Sequence, residues 1–183
     1  MIAIDKIFEK LSKGLPLSDL GLPLRNGRTD VSKVKIAKPR EGRTLGFAGA
    51  ELKRSGNIPE LEGVSCSDLD FGGADLSDLL VFGSVFKNCV FDNCDCRNLG
   101  LWETSFEDCS FRCANLAGAV LGGVSSERPK PNAFHRVLFD GADFSSSVHY
   151  GEQYRHCSFR KSRLRRLDFD GSVFEDCASE NAA

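Results

Sequence analysis

The sequence predicts a solenoid of short repeats, preceded by a short N-terminal α-helix and a capping segment. Three observations lead to this prediction. Apolar residues recur in strict steps of five over most of the chain, 14 Phe outnumber one Trp and two Tyr, and one Pro-containing stretch divides the repeats into two blocks. With 183 residues the chain has the length of one ordinary domain.

The period is clearest from Asp70 onward, where every fifth residue is apolar. We call these residues centres, and those of the first block are Phe71, Leu76, Val81, Phe86, Phe91, Cys96, Leu101, Phe106, Phe111, Leu116 and Leu121. The residue two positions before each centre is mostly small or apolar, so we expect both columns to face inward. Because five matches neither the helical nor the strand period, each repeat must close with a turn.

A second block follows the same rule and contains two polar exceptions. Its centres are Phe139, Phe144, His149, Tyr154, Phe159, Leu164, Phe169 and Phe174. The exceptions are His149, at a centre, and Glu152, at a minus-two position. We interpret His149 as a hydrogen-bonded core histidine, with a catalytic base as the alternative.

Three segments carry the repeat in its purest form: GADLS at 73–77, CANLA at 113–117 and GADFS at 141–145. They resemble the A(D/N)LXX motif of the pentapeptide repeat family, and the resemblance extends over roughly two thirds of the chain. It implies an all-β fold, a right-handed quadrilateral β-helix in which four repeats form one coil and residues i and i+20 stack. About five to six such coils are expected.

Sorting the centres by this rule places the aromatic residues in two stacked columns, which we call ladders. The two blocks are not in register, because Leu121 and Phe139 are 18 positions apart, which is not a multiple of five. If Phe134 is taken as the missing centre, eight extra residues remain within GGVSSERPKPNA. We interpret them as a loop near 123–132. The candidate contact residues of this loop are Ser125, Ser126, Glu127, Arg128, Pro129, Lys130 and Pro131. The core ladders are Phe71, Phe91, Phe111, Phe139 and Phe159 on face one, and Phe86, Phe106, Phe134, Tyr154 and Phe174 on face four.

The limits of the period set the predicted boundaries: 1–44 for the helix and capping segment, 45–177 for the β-helix, and 178–183 for a tail. The stretch LGFAGAEL is interpreted as an early coil with Phe47 and Leu52 as centres. The N-terminal helix should carry one apolar stripe, which consists of Ile4, Ile7, Phe8 and Leu11.

Eight cysteines raise the question of disulfides or a metal site, most clearly in CVFDNCDCRN at 89–98. Cys89 and Cys94 occupy minus-two positions where other repeats carry Leu, Val or Ala, and Cys96 is a centre. We therefore predict free thiols that act as small apolar residues. A disulfide between the stacked Cys89 and Cys109 is the alternative. Zinc needs four ligands at one point, whereas these residues lie in separate columns, so no metal and no cofactor is predicted.

No sequence motif supports an enzyme, since a phosphate-binding loop, a nucleophile elbow and a zinc-protease motif are all missing. A thiol enzyme built around the outward Cys113 is the remaining alternative. The sequence shows neither a signal-like start nor about 18 consecutive apolar residues. We therefore expect a soluble cytoplasmic protein without membrane contact.

The outward positions of the third face are unusually apolar. A contiguous apolar patch usually marks an interface, and its occupant is the chain's own N-terminal segment, a protein partner or a second copy. The candidate interaction surface consists of Leu80, Phe82, Trp102, Val120, Val148 and Tyr150.

Two functions fit these observations. The first is a non-enzymatic interaction module that presents one face of a rigid β-helix to an unidentified protein partner, with a homodimer as a further expectation. The second is implied by the resemblance: a DNA mimic that binds a type II topoisomerase (gyrase) and protects it from poisons. The net charge of only −6 over 64–183, against +4 over 1–63, and the basic run 160–166 argue against mimicry. Direct nucleic-acid binding is not expected, because such basic runs are usually solvated.

Overall fold

The computed structural model describes residues 10, 17, 20–32, 45–47, 50–52, 60–122 and 130–183. The N-terminal strands are β1 (Leu24–Arg25), β2 (Arg28–Asp30), β3 (Leu45–Phe47) and β4 (Ala50–Leu52). The later strands are β5 (Glu60–Glu62), β6 (Ser65–Ser67), β7 (Leu69–Asp70), β8 (Leu80–Phe82), β9 (Val85–Lys87), β10 (Gly100–Trp102), β11 (Ser105–Glu107), β12 (Val120–Leu121), β13 (Ala133–His135), β14 (Val148–His149), β15 (Gln153–Arg155) and β16 (Val173–Glu175). Apart from Lys10, which is helical, the predicted N-terminal helix lies outside the described residues. Within the described part of the chain, no helical segment has the length and apolarity needed to cross a bilayer.

The repeats build a quadrilateral β-helix whose consecutive coils pair in parallel. Face three is the sheet ordered β14-β12-β10-β8-β5, and face four is the sheet ordered β16-β15-β13-β11-β9-β6. Faces one and two are held mostly by single bridges, such as Val90 with Ser110 and Asp95 with Asn115. Each of these pairs is 20 residues apart, as the repeat requires. The predicted fold class is confirmed.

The corners of the coils explain the polar residue of the repeat motif. The Oδ1 atoms of Asp75, Asn115 and Asp143 accept the backbone N–H two residues further on, at 3.2, 3.1 and 2.9 Å. These Asx turns satisfy a corner N–H that has no partner in the coil. The next corner residue adopts the left-handed conformation, as Asn98 does with a φ of 55°.

The two aromatic ladders fill the interior. The ring of Phe91 lies between those of Phe71 and Phe111, with centroid distances of 4.8 and 4.5 Å. The ladders of faces one and four meet edge to face, as at Phe86 and Phe91, where the centroids are 5.6 Å apart. Every ladder residue is buried except Phe174 of the last coil, which is 42% exposed. The structure thus stacks the aromatic residues as the period predicts.

The inserted loop leaves the ladders intact. Phe106 pairs with Phe134, 28 residues further on, instead of 20. Phe111 and Phe139 stack across the same break with a centroid distance of 5.4 Å. The eight-residue excess is therefore looped out at one corner, as predicted. Of the candidate loop residues, 125–129 lie outside the described residues, and Lys130 and Pro131 are exposed.

The β-helix begins later than the sequence indicates. Strand β3 pairs antiparallel with β4, in the register Leu45 to Leu52. The prediction of an early coil with Phe47 and Leu52 as centres is therefore wrong, because consecutive centres of a coil lie on adjacent faces, whereas these two strands pair with each other. Parallel pairing of coils begins with β5, where Leu61 lies beside Val81.

A hairpin caps the first coil. Asn26 and Gly27, with φ values of 52° and 78°, form the two-residue turn between β1 and β2. Strand β2 then extends face one in parallel, with Thr29 beside Leu69. Val31 follows this strand into the core and is 2% exposed. The hairpin thus covers apolar rows that the end of a solenoid would otherwise leave open.

The C-terminal residues correct the predicted boundary. Ala178 bridges Ser158 of the preceding coil, and the N–H of Ala183 donates to the carbonyl of Ser162 at 3.0 Å. The prediction of a tail at 178–183 is wrong, because these residues keep the backbone pairing of the repeat although they have lost its apolar side chains.

Candidate functional site

The outward side of face three is the candidate site. In each of its strands the centre points inward and its two neighbours point outward. Parallel registers bring the outward residues into two columns along the stack. One column is Leu80, Gly100, Val120 and Val148, and the other is Phe82, Trp102, Gly122 and Tyr150.

Trp102 flattens the upper part of this face. Two atoms of its indole ring lie 2.4 Å from the position that a Cβ atom at Gly100 would take, so the ring covers the glycine. The same ring packs against Leu80, and the two side chains are only 7% and 8% exposed. Phe82 and Val120 are half-buried against this pair. The structure thus brings the predicted apolar residues together, with Val148 and Tyr150 half-buried one row below.

A strip of glycine borders this face. The corner residues after the outward column include Gly63, Gly83, Gly151 and Gly171, with φ between 56° and 69°. Other corners adopt the same left-handed conformation with side chains, for example His156 with a φ of 53°. The conformation alone therefore does not require glycine here. These four positions expose bare backbone beside the apolar columns, whereas Glu103 occupies the equivalent position after Trp102.

Face three carries only acidic charge among its described outward residues. Glu62 lies beside Phe82 in the strand register, and Asp168 bridges Val148. Asp170 lies in the next position of the same coil as Asp168. None of the acids on this face forms an ion pair within the described part of the chain; they are Glu62, Glu103, Asp168 and Asp170.

The other faces differ, because many of their carboxylates lie beside a cation. Arg136 lies 2.6 Å from Asp108 and 2.9 Å from Glu107 and lowers the pKa of Asp108 through its hydrogen bonds. Eight carboxylates on these faces lie within 4 Å of Lys or Arg: Asp70, Asp95, Glu107, Asp108, Asp140, Asp143, Glu175 and Glu180. The predicted basic run contributes to this pattern, since Arg160 pairs with Glu180 and Arg163 with Asp143.

An open groove of about 490 Å³ beside the β1–β2 hairpin is the other concave feature of interest. Arg25 lies 3.4 Å from Asp70 there, and Arg28 donates to the amide oxygen of Asn88 at 2.7 Å. Arg25 and Arg28 thus hold the hairpin on the coil. We assign the groove a structural role.

His149 is locked in a hydrogen-bond network within the core. The hydroxyl of Ser147 donates to the carbonyl of Phe144 at 2.8 Å, so its oxygen must accept from Nε2–H of His149 at 3.1 Å. Nδ1 then carries no hydrogen and accepts from the hydroxyl of Tyr154 at 2.5 Å. Burial lowers the pKa of His149 to about 3. The structure therefore places His149 as a neutral core residue with both ring nitrogens satisfied.

Glu152 is an unusual group in the same part of the core. It is fully buried, and neither carboxylate oxygen accepts a hydrogen bond from any described residue. Burial raises its pKa to about 8, although the nearby Asn132 opposes part of this change. A Cβ atom at Gly122 would lie 2.1 Å from Oε1 of Glu152. The carboxyl group thus fills the space that this glycine leaves open, and it is mostly protonated at neutral pH.

The column that contains Glu152 shows why a polar residue is tolerated there. The N–H of Thr104 donates to the side chain of Asn132 at 2.8 Å, and the N–H of Glu152 donates to Ser172 at 3.1 Å. Each other polar side chain in this column thus accepts an N–H from the coil above, and Glu152 is the exception. The sequence marks Glu152 as an irregular minus-two residue but does not reveal the glycine against which it packs.

The eight cysteines are free thiols, as predicted. The thiol of Cys94 donates to the carbonyl of Phe71 at 3.1 Å, and that of Cys89 to the carbonyl of Lys87 at 3.2 Å. Burial raises the pKa values of Cys66 and Cys157 to about 12. In the ranges that the structure describes, no group of three His, Cys, Asp or Glu side chains is arranged to hold a metal ion.

The side chains of the ladders leave little free volume in the core. A cavity between the upper rungs measures about 20 Å³, which is enough for about one water molecule and too small for a substrate. Chemistry on a small molecule would therefore need a site on the outer faces. Among the described residues, face three offers apolar and acidic side chains there but no nucleophile with an adjacent base.

A family model for pentapeptide repeats matches residues 89–125 in eight copies. No curated protein sequence is detectably similar to the chain. Among solved structures, full-length QnrB1, a plasmid-mediated fluoroquinolone resistance protein, is 15% identical over 67% of this chain and 84% of its own, with a TM-score of 0.31. HetL from the cyanobacterium Nostoc sp. strain PCC 7120, involved in heterocyst differentiation regulation, is 14% identical over 66% of this chain and 86% of its own, with a TM-score of 0.24. At these TM-scores the likeness carries no information about a partner.

Proposed function

We propose that this pentapeptide repeat protein is a non-enzymatic interaction module that binds a protein partner through the outward side of face three. One observation carries the proposal. Apolar side chains form two adjacent columns on a rigid sheet, and the acids around them have no counter-ion among the described residues. An apolar surface patch bordered by charges is typical of an interface, where the charges add specificity.

The rest of the molecule supports a scaffold. Parallel backbone pairing and the stacked rings of residues such as Phe91 and Phe106 fix face three as one rigid unit. A rigid face loses little conformational entropy on binding. The filled interior makes the fold rigid and leaves too little internal space for a substrate.

The proposal can be tested by capture of partners from an extract of the native host with the full chain. The test variant is Phe82→Ser with Val148→Ser, and the matched control is Val90→Ser with Leu138→Ser, which changes half-buried outward residues of face one. We expect one protein to be captured by the native chain and by the control but not by the face-three variant. Equal capture by all three proteins would refute the proposal, provided that their thermal unfolding shows all of them folded.

The charge distribution does not favour the alternative of a DNA mimic for type II topoisomerases. A mimic needs a continuous negative surface, whereas eight carboxylates on the other three faces are paired with Arg or Lys, as Glu107 is with Arg136. We therefore expect micromolar protein to leave DNA supercoiling by gyrase unchanged, with and without a quinolone. Inhibition or protection in this assay would favour the mimic instead.

A further inference from the structure

The proposed binding face is specific enough to indicate the chemistry of its partner. We infer that the segment bound by face three is a basic amphipathic α-helix of about four turns, with an apolar stripe along its middle and Lys or Arg at both ends. This inference rests on the proposed function and adds the class of ligand to it.

The row spacing of the face favours a helix. Neighbouring coils are about 4.8 Å apart, so the apolar side chains of Phe82, Val120 and Val148 recur at that interval or its multiples along the stack. Residues three and four apart on an α-helix are separated by about 4.5 and 6.0 Å along its axis. Same-side residues of an extended strand are about 6.8 Å apart. A helix laid along the stack therefore matches successive rows better than a strand does.

Backbone pairing also argues against an added strand. The inner rows of face three already use their N–H and C=O groups for the coils above and below, as Leu101 does with Val81 and Leu121. Strand addition needs a free sheet edge, and the middle of this face has none. Side-chain packing is the mode of binding that remains.

The glycine corner supplies room for such a ligand. At Gly83 and Gly151 an added Cβ atom would meet no other atom within 4 Å, so the surface beside the apolar columns is open. The neighbouring Phe82 and Tyr150 rise beside this strip and are half-buried. A cylinder about 10 Å wide can therefore approach the backbone at Gly83 and Gly151 while its apolar side packs on the rings, and it passes the side chain of Glu103 between them.

The acids set the charge of the partner and its length. Glu62 stands beside the top apolar row and Asp170 next to the bottom one, both exposed. From the row of β5 to the row of Asp168 there are five steps of about 4.8 Å, or about 24 Å. A helix covers that length with about 16 residues. Lys or Arg at its two ends would meet carboxylates that have no cationic partner among the described residues.

The test uses a fluorescein-labelled peptide of about 16 residues, with Leu at helical spacing and two Lys at each end. Its binding to the full chain is measured by fluorescence anisotropy at low and at physiological salt. We expect binding that weakens at least tenfold with Glu62→Lys and Asp170→Lys together, and likewise with Phe82→Ser and Val148→Ser together. The matched charge control, Asp75→Lys with Glu180→Lys on other faces, should change the affinity by less than twofold, and a peptide with Glu in place of Lys should not bind.

The outcomes separate this inference from the proposed function. Absence of peptide binding, or binding that the Glu62 and Asp170 changes leave intact, would overturn the inference. If host-protein capture still depended on face three, the proposed function would stand without it. Binding that appears only after deletion of residues 1–16 would show that the chain's own basic N-terminal segment occupies the face, which also overturns the assignment to a partner. Should neither capture nor peptide binding depend on face three, the proposed function itself would fail.

Discussion

The hydroxyl of Tyr154 donates to Nδ1 of His149 across 2.5 Å, deep inside the β-helix. Both side chains are fully buried, and the second ring nitrogen of His149 is used by Ser147. With this bond, both ring nitrogens of the polar residue at this core centre have a hydrogen-bond partner. It also removes the proton acceptor that a catalytic histidine would need.

Tyr154→Phe should therefore destabilise the protein although the stacking of the ring is kept. The change leaves Nδ1 buried without a donor, which should lower the free energy of unfolding by about 1 to 3 kcal/mol. Urea unfolding measures this loss. Tyr150→Phe on the outward side of face three is the matched control and should change stability by less than about 0.5 kcal/mol. A loss no larger than in the control would contradict the network.

Glu152 predicts an unusual dependence of stability on pH. Its pKa rises from 4.5 to about 8 on folding, so the folded state retains a proton that the unfolded state releases. This contribution to stability is full below pH 4.5 and is lost as the pH rises towards 8, by roughly 1.4 kcal/mol for each pH unit. Glu152→Gln should remove the loss, so the variant gains on the native chain between pH 5 and 8. A difference in unfolding free energy that stays constant over this range would refute the assignment.

Gly122 should be far less tolerant of substitution than a neighbouring corner glycine. Gly122→Ala would place Cβ 2.1 Å from Oε1 of Glu152 and 2.4 Å from the backbone oxygen of Tyr150, which cannot move aside. Gly83→Ala has a similar left-handed φ but open space, so it should cost only about 1 to 2 kcal/mol. We expect Gly122→Ala to cost clearly more in thermal and urea unfolding. Equal costs would mean that backbone conformation alone sets the preference for glycine.

The ladders predict the largest losses in the core. Phe91→Ala removes a ring that stacks on both Phe71 and Phe111 and should cost about 3 to 5 kcal/mol. Cys94→Ala, which removes one sulfur atom from a minus-two position, should cost about 1 kcal/mol. Urea unfolding of both variants checks the order. A greater loss of unfolding free energy for Cys94→Ala than for Phe91→Ala would indicate that the thiols have a structural role beyond packing.

The sequence predicted the interior of the β-helix well because its signal is repeated. Every coil repeats the same inward columns, so Phe111 could be paired with Phe139 although the sequence between them contains eight extra residues. Local motifs were less reliable. The stretch around Phe47 has the spacing of a repeat, yet it forms an antiparallel hairpin and does not pair with strand β6, which lies twenty residues later.

The outer surface could be predicted only in part. The apolar columns of face three follow from the period, since each outward residue has a fixed distance from a centre. The covering of Gly100 by Trp102 does not, because it depends on the rotamer of one ring. Nor does the contrast between Glu62, which has no cationic partner among the described residues, and Glu107, which is paired, because it requires knowing which side chains of neighbouring coils meet. Column-by-column comparison of charges would have found the acidic character of the face but not which of its acids stay without a cation there.

The jump from Phe106 to Phe134 shows that the corner after Gly122 tolerates extra sequence without altering the rows on either side. Neighbouring coils recognise each other through their stacked side chains, and the length of the connecting chain does not set their alignment. This corner is therefore a natural site for grafting. A foreign epitope or recognition peptide could be inserted there and displayed on a stiff rod, and the same tolerance offers evolution a place to vary specificity while the scaffold is conserved.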